Sequence, residues 1–168
     1  MEFVFLCILE INKPMITLLT AFMAFFNMAA NSIYDFELPK TWEKDFTIDV
    51  SHHGSMRGGS TKIRFTYDSC SYVIDSDVEK TQTFAYAMTD KDRSAILKKL
   101  HSLRIDKIDR KRKIVPVHDG WSQSICFGFH CIQGGPSVDL SVKDKSSFLT
   151  AYAFLEQFAI DNTKVVGK

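Results

Sequence analysis

From Asp45 onward the apolar residues alternate with polar ones, and a period of two fits only an extended strand with one face buried. Phe46, Ile48 and Val50 point one way, while Thr47, Asp49 and Ser51 point the other. The pattern returns in Ser60 to Tyr67, with Ile63, Phe65 and Tyr67 inward and Lys62, Arg64 and Thr66 outward. The stretch between, "SHHGSMRGG" from Ser51 to Gly59, therefore falls where a hairpin has to turn, and its three glycines supply the backbone freedom of a wide loop. After Tyr67 the parity moves to Cys70, Tyr72 and Ile74, which requires a tight turn or a bulge at "DSC". "TFAYAM" adds a further strand, and the first half of the domain reads as an antiparallel meander.

"TDKDRSAILKKLHSL" changes the period. Thr89 precedes Asp92 by three residues, a relative of the capping box, and Ile96, Leu97, Leu100 and Leu103 form a helical stripe. Beyond it, Ser122 to Cys131 reads as one strand with Ile125, Phe127, Phe129 and Cys131 on one side. "QGGPS" then turns the chain, and Val138, Leu140 and Val142 alternate as the partner strand. "DKSSFLTAYAFLEQFAI" closes the domain as a helix with a broad apolar arc of Phe148, Tyr152, Leu155 and Phe158. The order predicts an α+β fold: a mainly antiparallel sheet (strand meander, helix, hairpin, helix) with two helices packed on one face. A single domain spans 45–161, preceded by an arm over 31–44 that packs Phe36, Leu38 and Trp42, and followed by a flexible tail over 162–168.

Residues 1–30 read as a signal peptide. Ile16 to Phe26 is an apolar run followed by "NMAAN", with cleavage expected near Ala29 or Ala30, and Met15 is an alternative start. Eleven apolar residues fall short of the roughly 20 that cross a bilayer, so the processed chain is expected to leave the membrane for the bacterial envelope, periplasmic or secreted. There, Cys70, Cys126 and Cys131 are disulfide candidates. Cys126 and Cys131 would lie roughly 16 Å apart on opposite faces of one strand, which makes Cys70 with one of them the expected bridge.

The chain carries 21 lysines and arginines against 20 aspartates and glutamates, a balance that argues against a nucleic-acid specialist. The tetrad Arg110 to Lys113 is flanked by Asp106, Asp109 and Asp119 and reads as a solvated loop. Adjacent His52 and His53 point to opposite strand faces and cannot both bind one ion, and no Cys-x-x-Cys or His-Glu-x-x-His spacing occurs. Cys126 and His130 would share a strand face roughly 13 Å apart, too far for direct proton transfer. No catalytic residue, metal or cofactor is assigned. The candidate contact residues are His53, Met56, Arg57, His118 and Trp121, with the Gly54–Gly59 hairpin and the Asp119–Trp121 turn as the contact loops, and methionine, arginine and tryptophan are types that centre interfaces. The expected partner is a protein or another envelope component.

"SHHGSMRGGSTKIRFTYDSC", "DRSAILKKL" and "HDGWSQSICFGFHC" together resemble a family of small secreted bacterial proteins of unknown role. The element order also resembles that of emfourin, a bacterial inhibitor of thermolysin-like proteases. That layout implies a binder whose loops insert into a partner, and it implies no catalytic residue. The function expected is a small non-enzymatic binding domain, with metallopeptidase inhibition as the alternative and a metal- or thiol-dependent hydrolase behind it.

Overall fold

A computed structural model describes residues 36–54, 59–76, 80–108, 121–136 and 138–166. The chain divides into two units, Met1–Phe36 and Glu37–Lys168, and the second holds the fold. The expected signal peptide, the alternative start at Met15, the tetrad Arg110 to Lys113 and the candidate residues Met56, Arg57 and His118 lie outside the described residues.

Six strands form one antiparallel sheet: β1 (Ile48–His53), β2 (Ser60–Phe65), β3 (Ser69–Asp75), β4 (Gln82–Ala87), β5 (Ser122–Phe127) and β6 (His130–Gly134). Their spatial order is β4-β3-β2-β1-β5-β6. Side-chain parity decides the two faces. Ile48 stands between Phe65 and Phe127, and Val50 between Ile63 and Ile125, all buried on the inner face. One residue out of phase, the outer face is polar, with the Asp49–Arg64 ion pair at 3.5 Å and the Ser51 and Ser124 hydroxyls 2.7 Å apart. The parity change after Tyr67 is a tight turn: the Thr66 N–H donates to Ser69 O at 2.8 Å and the Ser69 N–H donates to Thr66 Oγ1 at 3.0 Å.

Helix α1 (Asp90–Leu103) begins at a complete capping box. The Asp92 N–H donates to Thr89 Oγ1 and the Thr89 N–H donates to the Asp92 carboxylate, so two otherwise orphaned donors are satisfied. It ends at Arg104 in the left-handed region, followed by a 3-10 turn over Ile105–Lys107. Ile96, Leu97 and Leu100 are buried, as the stripe requires.

Helix α2 (Val142–Val166) differs from expectation at both ends. Val138, Leu140 and Val142 do not form a strand. Ser141 caps the helix instead, accepting from the Asp144 N–H at 3.1 Å and donating to the Asp144 carboxylate at 2.8 Å, so Val142 already lies in the first turn and is solvent-exposed. At the other end the helix continues to Val166, through much of the expected tail, and Thr163 is buried one turn beyond Ala159, its hydroxyl donating to Ile160 O at 2.9 Å. Phe148, Ala151, Tyr152, Leu155 and Ala159 are buried at helical spacing against the inner sheet face. Helix α2 touches β1, β3, β4 and β6, and α1 packs beside it. Among the described residues the fold is α+β, a six-stranded antiparallel sheet with two helices.

Candidate functional site

The expected single strand Ser122 to Cys131 is a hairpin. Phe127 pairs with His130 and Cys126 with Cys131, leaving Gly128 and Phe129 as a two-residue turn. Gly128 has φ +59°, and glycine at the first central position with positive φ is the signature of a hairpin turn whose twist matches its strands. The reversal brings Cys126 and Cys131 to a Cα separation of 4.0 Å, and they are joined as a disulfide. The expected bridge from Cys70 to one of them is thereby corrected. Parity is the reason: Cys126 opposes Asp49 on the outer face, whereas Cys70 opposes Phe65 on the inner face and is fully buried. Cys126 and His130, expected on one strand face, also separate, because His130 opposes the inward Phe127.

The turn places Phe129 at the hairpin tip with 105% relative exposure. Its neighbours are anchored. The Phe127 ring stacks on Phe46 at 6.3 Å with an 8° interplanar angle, and Phe46 meets the buried Trp42 edge-on at 5.1 Å. A bare phenylalanine therefore stands on a short hairpin held by a covalent cross-link on one face and an aromatic stack on the other. The alternation puts Phe129 on the same strand side as Phe127, and the turn removes it from the strand altogether. The signal lay in "CFGFHC" itself: two cysteines placed symmetrically about a Gly-Phe pair.

The opposite end of β5 carries Trp121, six strand residues or about 20 Å away. Its ring, 39% exposed, lies 5.9 Å from that of His52. The register sets Thr61, His52 and Gln123 in a row across β2, β1 and β5 on the inner side. The Tyr152 hydroxyl lies buried near Thr61 and Gln123; burial, with the Glu156 charge adding, pushes it up to about 12. His53, the expected contact residue, is on the other face, exposed between Ser60 and Ser122. Trp121 and His53 thus present themselves to different faces, and the structure does not bring them together.

A depression of about 360 Å³ lies where Lys40, Thr41 and Trp42 of the arm meet Tyr67 and the Arg93–His101 face of α1. Two of its polar groups, Arg93 and His101, hold the turn and the arm. Buried Arg93 donates to Tyr67 O, to Met88 O at 3.1 Å and to the Asp90 carboxylate, with its guanidinium 4.0 Å above the Tyr67 ring. His101 Nε2 is 3.0 Å from Pro39 O. Nothing here pairs a nucleophile with a base.

Among the described residues no three His, Cys, Asp or Glu side chains gather as a metal site. The thiols offer no nucleophile there either: Cys126 and Cys131 are oxidised to each other, and burial pushes Cys70 up to about 12. Alkylation in denaturant without reductant is expected to modify Cys70 and leave Cys126 and Cys131 joined. A disulfide-linked peptide containing Cys70 would refute the pairing. No family model matches the chain, and no curated protein matches it in sequence.

Proposed function

We propose that this chain is an exported, non-enzymatic binding domain, periplasmic or secreted, that seats the Phe129 finger in an apolar pocket of a partner protein. The observation that carries the reading is the full exposure of Phe129 on a braced tip. Burying one phenylalanine side chain is worth about 1.5–3 kcal/mol, and a two-residue turn fixed by a cross-link loses little freedom on binding. An aromatic anchor entering a pocket is how a few residues come to dominate an interface. The proposal moves the contact from the expected loops to the other end of β5.

Installing a photoreactive phenylalanine analogue at position 129 is expected to give one discrete adduct in envelope extract, competed away by excess wild-type protein. The same analogue at exposed Lys143 should give none. Phe129→Ala should weaken binding to the adduct partner by about 10- to 150-fold without shifting the melting temperature. Unchanged affinity in that variant sinks the reading.

The finger also favours the alternative, inhibition of a thermolysin-like metallopeptidase, because a rigid apolar tip suits a protease pocket that accepts apolar side chains. Titrating such a protease with the wild-type chain separates the two: stoichiometric inhibition lost in Phe129→Ala supports inhibition, and full protease activity leaves the binding domain alone.

A further inference from the structure

We propose that β4 is a homodimerisation edge, pairing antiparallel with β4 of a second copy about a two-fold axis through Ala85, so that two six-stranded sheets become one. The hydrogen-bonding parity of β4 follows from its turn. The Met88 N–H donates to Asp68 O at 2.9 Å, and in an antiparallel ladder bonded pairs recur every second residue. Gln82, Phe84 and Tyr86 therefore bond inward to β3, through the pairs Ile74↔Gln82, Tyr72↔Phe84 and Cys70↔Tyr86. The backbone groups of Thr83, Ala85 and Ala87 face away from the sheet, and among the described residues no strand lies beyond β4. An unpaired row of this kind is a template for another strand unless charge, proline or a bulge guards it.

Nothing of that sort guards β4. Thr81 to Met88 is free of charge and proline, and five of the six β4 residues are exposed. The other edge is treated differently: β6 has five residues and runs into Gly135 and Pro136.

The edge is also complementary to itself. An axis through Ala85 pairs Ala85 with its own copy and Thr83 with Ala87, three bonded pairs carrying six backbone hydrogen bonds between small side chains. The intervening non-bonded pairs set Phe84, 39% exposed, against the strand at Tyr86 of the second copy, whose ring is already buried in its own core, so the apolar gain there comes from covering Phe84. The same register brings the Lys80 end of one tract beside the Asp90 end of the other, opposite in charge. An unrelated peptide could use the backbone row but not this side-chain match, which favours a second copy as the occupant.

Light scattering on the full chain at about 100 µM is expected to give the dimer mass, with Thr83, Ala85 and Ala87 amides protected from exchange and released on dilution. Ala85→Lys and Ala85→Asp place like charges directly opposite each other on the exposed face; each alone should weaken the dimer at least about tenfold, and mixing the two should restore it. Retained circular dichroism confirms that both variants fold. A wild-type monomer at that concentration, a dimer that survives Ala85→Lys, or failure of the mixture to reassociate overturns the proposal. Amide protection in a monomer does so as well, by placing another segment of the same chain on the edge.

Discussion

Replacing Phe148 with alanine is expected to lower the unfolding free energy by about 3–5 kcal/mol, the range for emptying a fully buried aromatic site. Phe148 sits in the first half of α2 with no exposed surface, and its ring occupies the space that the missing side chain of Gly134 leaves at the end of β6. A β-carbon built on Gly134 would lie 2.6 Å from Cδ1 and 2.8 Å from Cζ of that ring. Helix and sheet approach this closely because one partner has no side chain. Gly134→Ala should therefore be destabilising too, by about 1–3 kcal/mol of overpacking, since a fully buried ring has nowhere to move. The two changes share one volume, so the double variant should cost less than the sum, the added methyl entering the vacated space. Denaturant midpoints at constant m-value read all three. A loss under about 1 kcal/mol for Phe148→Ala would mean that this seam between α2 and β6 does not hold the fold.

The inner half of the sheet was legible because it obeys simple parity. Ile48, Val50, Ile63 and Phe65 are buried at the positions that alternation demands, and Thr89 with Asp92 marks the start of α1. The failures share a cause. Ile125, Phe127, Phe129 and Cys131 keep an unbroken period of two straight through the β5–β6 turn, so periodicity cannot see a reversal that consumes two residues. Only the turn chemistry reveals it: glycine at the first central position, with cysteines at equal distance on either side. The same blindness put the bridge on Cys70, since two cysteines five apart are distant in a strand and neighbours across a hairpin. Val138, Leu140 and Val142 misled in a smaller way. Three alternating residues are weak evidence against Ser141 and Asp144, which have the spacing of a helix cap.

The candidate site was legible in kind more than in place. Turns carried on a rigid sheet are the places where contact residues are expected in general. Trp121, expected as a contact residue, is 39% exposed just before β5. The histidine beside it is His52 and not His53, a one-residue difference that the register settles, because consecutive strand residues face opposite sides. Phe129 carried no signal as long as its strand ran on. An exposed phenylalanine and a core phenylalanine are the same letter, and only the backbone path tells them apart.

Above pH 9 the protein is expected to lose stability steeply, with Cys70 as the first group responsible. Its thiol lies on the inner face with no exposed surface, and burial holds it up at about 12 against an ordinary value of 9.0, the nearby Tyr86 hydroxyl offsetting a part. The folded state thus keeps the neutral thiol where the unfolded chain releases the proton. The stabilisation is complete below pH 9 and is lost as pH climbs toward 12. Three pH units at about 1.4 kcal/mol each come to the order of 4 kcal/mol, of which about 2 kcal/mol is gone by pH 10.5. Tyr152, pushed up to about 12, and Tyr86, raised by burial and by Cys70, add losses of the same sign from about pH 10. Cys70→Ala removes the thiol together with the part of the Tyr86 shift that Cys70 causes, and leaves Tyr152: the small cavity lowers stability equally at every pH, whereas the thiol's contribution appears as slope. Urea melts at pH 8, 9, 10 and 10.5 should show the wild type falling about 2 kcal/mol further than the variant over that range. Parallel curves would mean that Cys70 is as free to ionise in the fold as outside it, and that the inner face of β3 is wetter than its burial implies.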